Sequence, residues 1–428
     1  MNPASGTAEP TTSNADTRSG DPPTGRTSTV LSRRTLLKAA GAGTVTSLLA
    51  SRPAESATSG TDPWAIAVLP DTQNYVEDDT SISFAYDQTE WLRDQADAEN
   101  LQLVSHVGDV VQNAASETEW KRIHGAMSLL DDHVPYSVVT GNHDYATVWD
   151  RSSSTELYEK YFGPSQFAGK EWFGGSGGYD GLSTYQLFSA GGYDFLHLAL
   201  EWEPTDATLD WAQQVLDQYP DRPTILTTHS YLRDANPPGR TETIQETDGN
   251  GNSGETVWQR LVSKNSQVFM TLNGHWFRGS GSDEGEHHQI SSNDADLDVY
   301  EMVSNYQGYA NGGNGWLRLI RFQPGGGNDA PDRIAVRTYS PTLDEYADKS
   351  DYSSWFNFDL DFDARFGPAD VAGDVDGDGD VDGDDVDLVQ RHVAGHDDAI
   401  DEEAADMDDD GDVDIVDAAA IRDEWGGQ

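Results

Sequence analysis

Five apolar runs of strand length divide the first three quarters of the chain. They cover 65–69, 101–107, 134–139, 224–228 and 268–272. Continuous apolar runs of this kind are typical of strands that are buried on both faces of a sheet. The pattern therefore predicts a buried sheet core.

Helical periodicity fills the gaps between the first three runs. The segments 84–98 and 117–130 place apolar residues at helical spacing. A strand, helix, strand, helix, strand order predicts right-handed crossovers and a mainly parallel core. The chain is thus expected to contain an α/β domain.

The later pattern is less regular. We predict a strand at 193–200, a helix at 206–216, and a second, antiparallel set of strands at 316–322 and 333–339. The aromatic-rich stretch 145–195 has two interpretations, a lid over a site or an aromatic subcore under a long loop. The segment 234–254 reads as a polar, glycine-rich loop.

Each of the five apolar runs ends at a residue type that binds metals. The residues that follow the runs are Asp71, Asp109, Asn142 with His143 and Asp144, His229, and His275. Ligand sites in α/β sheets lie at the carboxyl ends of the strands. The five ends therefore predict one metal site that is assembled from the whole domain.

The ligand types suit a dinuclear centre. Asp109 is the natural bridge between two ions, Asp71 would hold one ion, and Asn142, His229 and His275 would hold the other. Two ions about 3.5–4 Å apart would clamp a phosphate for in-line attack by the hydroxide between them. The ions are expected to be divalent, and Mn, Fe, Zn and Mg all stay open.

Two further residues suit catalysis rather than ligation. His143 can face the leaving group as general acid or charge stabiliser, and Asp144 is expected to orient it. Their presence favours an enzyme. The alternative is a catalytically weak or inactive metal-dependent binding protein.

These motifs, in this order, resemble the calcineurin-like metallophosphoesterase family. The resemblance rests on Asp71-Thr72-Gln73, Gly108-Asp109, Gly141-Asn142-His143-Asp144, His229 and Gly274-His275, and spans roughly 62–345. It implies a two-sheet α/β sandwich, a dinuclear metal centre, and hydrolysis of phosphate mono- or diesters.

The chain departs from the family pattern at two positions. Gln73 and Phe277 stand where the family usually has histidines that serve the ion shared by Asp71 and Asp109. Gln73 is predicted to donate its amide oxygen, whereas Phe277 has no ligand atom. The depleted half-site would favour Mn or Mg over Zn. His287 or His288 would fold back as a replacement ligand, or would simply be solvated. His106 is expected to support the site without binding metal, and 305–307 to line its pocket.

A short acidic region after Gly367-Pro368 contains an internal repeat. Each repeat has carboxylates at loop positions 1, 3, 5, 9 and 12, with further acidic side chains between them, and glycine at position 6, as calcium loops require. The predicted calcium residues are Asp374, Asp376, Asp378, Asp380, Asp382 and Asp385 in the first loop, and Asp406, Asp408, Asp410, Asp412, Asp414 and Asp417 in the second. Two Ca ions are predicted.

The repeat resembles a dockerin, the module that docks on cohesin domains. Both loops end in Asp rather than Glu, and each is followed by a helical pattern, at 386–393 and 418–425. The resemblance implies a small α-helical, EF-hand-like module and a cohesin-like or other exported partner. The pairs at positions 10 and 11, Gly383-Asp384 and Ile415-Val416, differ from the family's common Ser/Thr pair.

The N-terminal stretch reads as a disordered segment followed by an export signal. Ser-Arg-Arg-Thr-Leu-Leu-Lys at 32–38 precedes a weakly apolar stretch and resembles a twin-arginine signal. We therefore divide the chain into 1–57, a metallophosphoesterase domain at 62–366, and a dockerin-like domain at 367–428. The apolar stretch is too short to predict a membrane span, and an extracellular or cell-surface location follows from export.

Charge and composition restrict the classes of molecule that the chain is expected to bind. The net charge is −50, with 36% hydrophobic residues, 12 Trp and no Cys. This combination favours a hydrated, salt-adapted acidic surface over disorder, as in halophilic proteins. It disfavours nucleic-acid binding by charge attraction, and the lack of cysteine excludes disulfides and thiolate ligands.

Overall fold

The computed structural model describes residues 62–234, 237–277, 285–325, 331–348 and 353–367, and in the C-terminal region 373, 375, 381, 383–396, 400, 402–407 and 413–425. The chain divides into two units, residues 1–55 and 56–428, and every described residue belongs to the second. The predicted export signal lies outside the described residues. So do eight predicted calcium ligands, Asp374, Asp376, Asp378, Asp380, Asp382, Asp408, Asp410 and Asp412.

Two large sheets form the first domain. The strands in chain order are β1 Trp64–Leu69, β2 Leu101–His106, β3 Tyr136–Val138, β4 Phe173–Gly177, β5 Ser183–Ala190, β6 Tyr193–Ala199, β7 Thr224–Thr227, β8 Leu232–Arg233, β9 Gly239–Arg240, β10 Val268–Asn273, β11 Glu286–Ser292, β12 Asp298–Ser304, β13 Leu317–Gln323, β14 Arg333–Ser340, β15 Glu345–Tyr346 and β16 Trp355–Asp359. The first sheet has the order β15-β14-β13-β1-β2-β3, with β16 also on β14, and the second has the order β11-β12-β10-β7-β6-β5-β4. Strands β8 and β9 form a separate pair.

Helices accompany the sheets of the first domain, and further helices form the C-terminal region. They are α1 Ser83–Gln95, α2 Glu117–Met127, α3 Glu156–Phe162, α4 Pro164–Phe167, α5 Asp206–Gln218, α6 Gly254–Arg260, α7 Phe362–Phe366, α8 Gly383–Val393, α9 Glu402–Ala405 and α10 Ile415–Trp425. Helices α2, α5 and α6 begin at Ser116, Thr205 and Ser253, whose hydroxyls accept a hydrogen bond from the backbone N–H three residues on. Such caps satisfy N–H groups that have no partner inside the helix.

The two faces of β1 show how the layers pack. Ala65, Ala67 and Leu69 face a core that includes helix residues such as Leu92 and Ile123. Trp64, Ile66 and Val68 face a core shared with the second sheet. Successive side chains of a strand point to opposite faces, so a strand buried on both faces has the continuous apolar run seen in the sequence. The result is the predicted two-sheet α/β sandwich.

The parallel core and the antiparallel pairing of β13 with β14 match the sequence prediction, but their separation into a second set does not. Pairs β1–β2, β2–β3, β6–β7, β7–β10 and β10–β12 are parallel. However, β13 and β14 do not form a separate set, because β13 pairs with β1 and extends the first sheet. Alternation along a strand indicates which face is buried but not which strand is its neighbour.

The stretch 145–195 is an ordered part of the domain. It contains α3, α4, β4 and β5, none of which the sequence pattern located. Tyr158, Phe162 and Phe167 are buried in the core beneath α2. These aromatic residues form the subcore that was one of the two interpretations.

The C-terminal region has a small apolar core of its own. In its described residues, α8 and α10 are longer than predicted and begin at loop positions 10 rather than after the loops. Val386 and Val389 of α8 pack with Ala418 and Ile421 of α10. This pairing of two helices agrees with the predicted helical module.

Candidate metal centre

The five predicted motifs meet at the carboxyl ends of strands from both sheets. Asp71 follows β1, Asp109 follows β2, and Asn142 lies in a short helical turn after β3. His229 follows β7 and His275 follows β10 of the second sheet. Backbone and side-chain contacts connect all five, so residues far apart in the chain share one buried cluster.

The Nε2 atom of His229 lies at the centre of this cluster. It is 3.2 Å from Oδ1 of Asn142, 3.3 Å from Oδ1 of Asp109 and 3.1 Å from Nδ1 of His275. Ligand atoms of Asp109, His229 and His275 all lie within 4.8 Å of one another. Four atoms that carry lone pairs therefore converge on one small volume.

Hydrogen bonds on the outer side of each ring fix the two histidines. Nδ1 of His229 donates to the carbonyl oxygen of Val107 at 2.7 Å. Nε2 of His275 donates to Oε1 of Gln245 at 2.6 Å. Because each ring places its N–H on this outer contact, the opposite nitrogen faces the cluster with its lone pair, as in metal-binding histidines.

The backbone around the cluster is strained. Asp109 and His275 both have positive φ, 49° and 66°. Gly141 approaches the Asp109 carboxylate so closely that a Cβ there would lie 2.2 Å from its Oδ1. Non-glycine residues in this region cost free energy and cluster at functional sites. The backbone conformation that directs these side chains into the cluster therefore lowers the stability of the fold.

Burial and opposite charge act against each other on the cluster. Burial favours the neutral form of Asp109, but His229 outweighs it and lowers the pKa of Asp109 to about 2. Burial likewise opposes charge on His229, yet Asp109 raises the pKa of that ring to about 9. Burial, reinforced by His229, lowers the pKa of His275 to about 3. The pocket thus stabilises positive charge at its centre.

The residues of this half-site fit a divalent cation. A single N–H on Nε2 of His229 cannot serve Asn142, Asp109 and His275 together, since one hydrogen makes one good bond. A cation at that place would satisfy carboxylate, amide and imidazole lone pairs at once. Imidazole with carboxylate and amide oxygens suits several divalent transition metals, so this donor set does not choose among them.

The surroundings of Asp71 are different. One of its oxygens, Oδ2, accepts hydrogen bonds from Nδ2 of Asn305 at 3.0 Å and Nε2 of Gln307 at 2.8 Å. Gln73 points its Nε2 at Oε1 of Gln307, 2.7 Å away, and its own buried Oε1 has no hydrogen-bond partner among the described residues. Phe277 has no ligand atom and is 38% exposed.

The adjacent histidines do not fill this half-site. His288 lies in β11, where its ring stacks on Phe356 with centroids 3.7 Å apart. His287 is the preceding residue of the same strand, and neither joins the metal-binding group found in the described residues. The interpretation of His287 or His288 as a replacement ligand is wrong, because strand pairing with β12 directs them elsewhere.

His143 lies beside the carboxylate of Asp109. Its backbone N–H donates to Oδ1 of Asp109 at 2.9 Å, and Nδ1 of its ring donates to the carbonyl oxygen of Gln112 at 3.0 Å. The ring is half-buried, whereas its neighbours Asn142 and Asp144 are fully buried. The Gln112 contact leaves Nε2 as the ring atom that a substrate would meet.

Asp144 does not orient the His143 ring, contrary to the sequence expectation. Its carboxylate accepts hydrogen bonds from the backbone N–H groups of Gly141 at 2.7 Å, Val110 at 3.0 Å and Val111 at 3.1 Å. The His143 ring instead contacts the carbonyl oxygen of Gln112, which takes the orienting role that was expected of Asp144. Asp144 instead joins the loops after β2 and β3, and thereby holds Asp109.

Several contacts to the site had no clear signal in the sequence. Gln245 lies in the polar loop, where nothing distinguishes it from its neighbours; its backbone N–H binds Glu203 at 2.9 Å. The ring of Trp149 meets the ring of His275 edge to face, with centroids 5.8 Å apart. Gln307 was expected only as a pocket residue. His106 is buried and contacts Oγ1 of Thr72 at 3.0 Å, which agrees with a supporting role.

Comparison with known families agrees with this geometry. Residues 65–277 match the family model described as calcineurin-like phosphoesterase. These residues belong to the calcineurin-like phosphoesterase family. The match contains all the ligand positions from Asp71 to His275 and ends at Phe277.

A second family match covers the C-terminal region. Residues 372–424 match the dockerin type I domain. The described residues show one contact in both calcium loops of this domain. Asp385, at position 12 of the first loop, accepts a hydrogen bond from the N–H of Val375 at position 2, 2.6 Å away. Asp417 accepts the equivalent bond from Met407 at 2.8 Å. The two loops thus close in the same way.

The curated relative adds little about function. The chain is 33% identical over 309 residues to the uncharacterized protein YvnB of Bacillus subtilis strain 168, covering 71% of this chain and 22% of that protein. It therefore spans about a fifth of the length of the relative that it matches.

Solved phosphoesterase-like structures are only distantly similar. The purple acid phosphatase PPD1 from yellow lupin seeds has a TM-score of 0.40 at 12% identity, covering 71% of this chain and 55% of that one. PhoD has a TM-score of 0.39 at 10% identity and covers 71% of each chain. TM-scores at this level carry no argument about activity.

Proposed function

We propose that this chain is an exported, metal-dependent phosphoesterase that hydrolyses phosphate mono- or diesters. The observation that carries the proposal is the convergence of Asp109, Asn142 and His275 on Nε2 of His229, with the half-buried His143 beside them. A purely structural metal site has no need of a histidine that binds none of the ligand atoms with its ring.

Each residue has a definite task in this proposal. Asp109, Asn142, His229 and His275 would hold a divalent cation, and such a cation would supply Lewis-acid chemistry toward a phosphate oxygen and toward water. The Gln112 carbonyl keeps the proton on Nδ1 of His143. A protonated Nε2 can then donate to the oxygen of the leaving group. Mn, Fe, Zn and Mg remain the proposed ions, and the sequence predicts two.

An aromatic wall keeps part of the pocket away from water. Trp149 packs against His275, and the backbone N–H of Thr247 donates to the Trp149 carbonyl at 2.9 Å, which joins the aromatic loop to the polar loop. An apolar ring next to a ligand lowers the local dielectric and strengthens the interactions of the centre with a phosphate. We place the substrate's phosphate between this wall and His143.

The C-terminal domain is proposed to bind two Ca ions and dock on a cohesin-like or other exported protein. Ile415 and Val416, at positions 10 and 11 of the second loop, are 59% and 52% exposed. Exposed apolar residues at those positions suit an apolar partner surface. A docking module of this kind supports an extracellular or cell-surface location.

Export and salt adaptation are proposed on the sequence. The twin-arginine pattern at 32–38 and the net charge of −50 support them. Among the described residues, no helix combines the length and the apolar character that a membrane crossing needs.

Hydrolysis of chromogenic esters tests the proposal. The mature protein would be assayed in molar salt with added Mn against a phosphodiester and a phosphomonoester. Turnover that Asp109→Asn abolishes would support a metal hydrolase. If neither ester turned over with any of several metals, the alternative of an inactive metal-dependent binding protein would replace it.

A further inference from the structure

Three carboxamides, Gln73, Asn305 and Gln307, lie around Asp71, where the family's second ion would lie. Nε2 of Gln73 donates to Oε1 of Gln307, and Nε2 of Gln307 donates to Oδ2 of Asp71. Nδ2 of Asn305 donates to the same oxygen, at 3.0 Å. Asp71 is 2% exposed, so these donors and the backbone N–H of His275, 3.2 Å from each carboxylate oxygen, face it in place of solvent.

The orientation of each carboxamide is determined by its neighbours. Oδ1 of Asn305 accepts the backbone N–H of Gln307 at 2.9 Å, which leaves Nδ2 to face Asp71. Turning Gln307 around would place its oxygen against the carboxylate and its nitrogen against Nε2 of Gln73. Amide orientations are assigned from such networks, and here only one assignment satisfies every contact.

A buried ion pair holds this segment in place. Tyr306, between Asn305 and Gln307, donates its hydroxyl to Glu286 at 2.9 Å, and Glu286 also binds Arg318 at 2.6 Å. Glu286, Tyr306 and Arg318 are almost completely buried. Buried hydrogen bonds and ion pairs of this kind are strong and restrict the motion of the residues they join. The carboxamides are therefore held against Asp71 and cannot easily withdraw to admit an ion.

We propose that Asn305 and Gln307 replace the second metal ion, so that the phosphoesterase domain binds one transition-type ion, at the His229 half-site. An N–H that points at a carboxylate oxygen occupies the lone pair that a cation would need. Phe277 removes a further ligand, and the buried Oε1 of Gln73 has no hydrogen-bond partner among the described residues. A single amide oxygen with shared carboxylates is a poor site for a second ion. The sequence prediction of two ions is thereby revised.

This inference rests on the proposed function for the location of the centre, and metal content tests it without an activity assay. The full chain would be stripped with chelator, reloaded with Mn in the presence of excess Ca to fill the dockerin loops, and freed of excess ions. We expect one Mn per chain, none in Asp109→Asn, and the electron paramagnetic resonance spectrum of an isolated Mn ion.

A gain-of-ligand variant provides the matched comparison. Gln73→His combined with Phe277→His restores both missing ligands but leaves Asn305 and Gln307 in place, so it is expected to stay at one Mn per chain. Gln307→Ala added to this double variant should raise the content to two. Phe277→Leu, which adds no ligand atom, should stay at one.

The outcomes separate this inference from the proposed function. Two Mn per chain in the wild-type protein, or the spectrum of a coupled Mn pair, would overturn the inference while leaving the hydrolase proposal intact. No bound Mn in the wild-type protein would overturn both. Two Mn per chain in the double variant, or only one in the triple variant, would refute the role given to Gln307.

Discussion

The Nε2 atom of His275 lies 2.6 Å from Oε1 of Gln245, a residue from a loop that follows a different strand. Gln245 is itself fixed, because its backbone N–H donates to the carboxylate of the buried Glu203. This relationship decides which nitrogen of His275 carries the proton. Gln245 has no atom in the cluster, yet it sets the orientation of the His275 ring, a predicted metal ligand.

Removing the Gln245 side chain should weaken metal binding. We expect Gln245→Ala to lower the affinity for Mn by about 10–100-fold, since partners of ligating histidines typically have effects of that size. Gln245→Glu keeps an acceptor and should retain affinity. Titration of chelator-stripped protein measures both, with Gln259→Ala, an exposed glutamine in α6, as control. Equal affinities for Gln245→Ala and the wild-type protein would refute the positioning role.

Asp144→Asn should act mainly on stability. The amide would direct N–H groups at the backbone N–H groups of Gly141 or Val110, which now donate to the carboxylate. The loss of charged acceptors of this kind costs about 1.5–3 kcal/mol. Denaturant unfolding, with the exposed Asp221→Asn as control, measures the change. An unchanged free energy of unfolding with reduced turnover would instead support the original expectation that Asp144 orients His143.

His197 should make the fold sensitive to acid. It is completely buried between Gln186 and Thr227, and burial lowers its pKa to about 3 from an ordinary value near 6.5. Between those pH values the unfolded chain binds the proton and the folded chain does not. The free energy of unfolding therefore falls as the pH falls from 6.5 toward 3, by about 1.4 kcal/mol per unit of pKa difference at most.

A pH series of unfolding curves tests this contribution. His197→Gln should be less stable near neutral pH but should lose stability less steeply on acidification. The control is His133→Gln, at an exposed histidine, which should keep the wild-type slope. Parallel slopes for His197→Gln and the wild-type protein would show that another group causes the acid sensitivity.

The number of bound Ca ions should depend on Asp385 and Asp417, the carboxylates at position 12 of the two loops. Asp385 closes the first loop by binding the N–H of Val375, and it is almost fully buried. Asp385→Ala should reduce the Ca content of the full chain from two ions to one and lower the helical circular dichroism signal. Asp387→Ala, an exposed residue of α8, should leave both unchanged. A variant at Asp385 that still binds two ions would contradict the loop assignment.

The sequence was most informative where strands are buried and where their ends carry chemistry. Runs such as 65–69 and 268–272 became β1 and β10, and the ligand types after them located Asp71 and His275. Burial on both faces gives a continuous apolar run, which few other structures produce.

Polar contacts between residues far apart in the chain could not be predicted from the sequence pattern. The pairing of β13 with β1, and of Gln307 with Asp71, joins residues more than 200 positions apart. An amide in a polar loop has the same local pattern whether or not it faces a carboxylate. The same holds for Asp144, whose neighbour in sequence is His143 but whose partners are backbone groups of two loops.

The most direct test of the account compares His143→Ala with Asp109→Asn in ester hydrolysis and in metal content. Removal of the His143 ring leaves its backbone bond to Asp109 in place. We predict that His143→Ala keeps its bound Mn and loses about 10²–10⁴-fold in turnover, the usual contribution of a general acid. Asp109→Asn should lose both metal and turnover. Undiminished hydrolysis by His143→Ala, or hydrolysis by Asp109→Asn without metal, would contradict the proposed site.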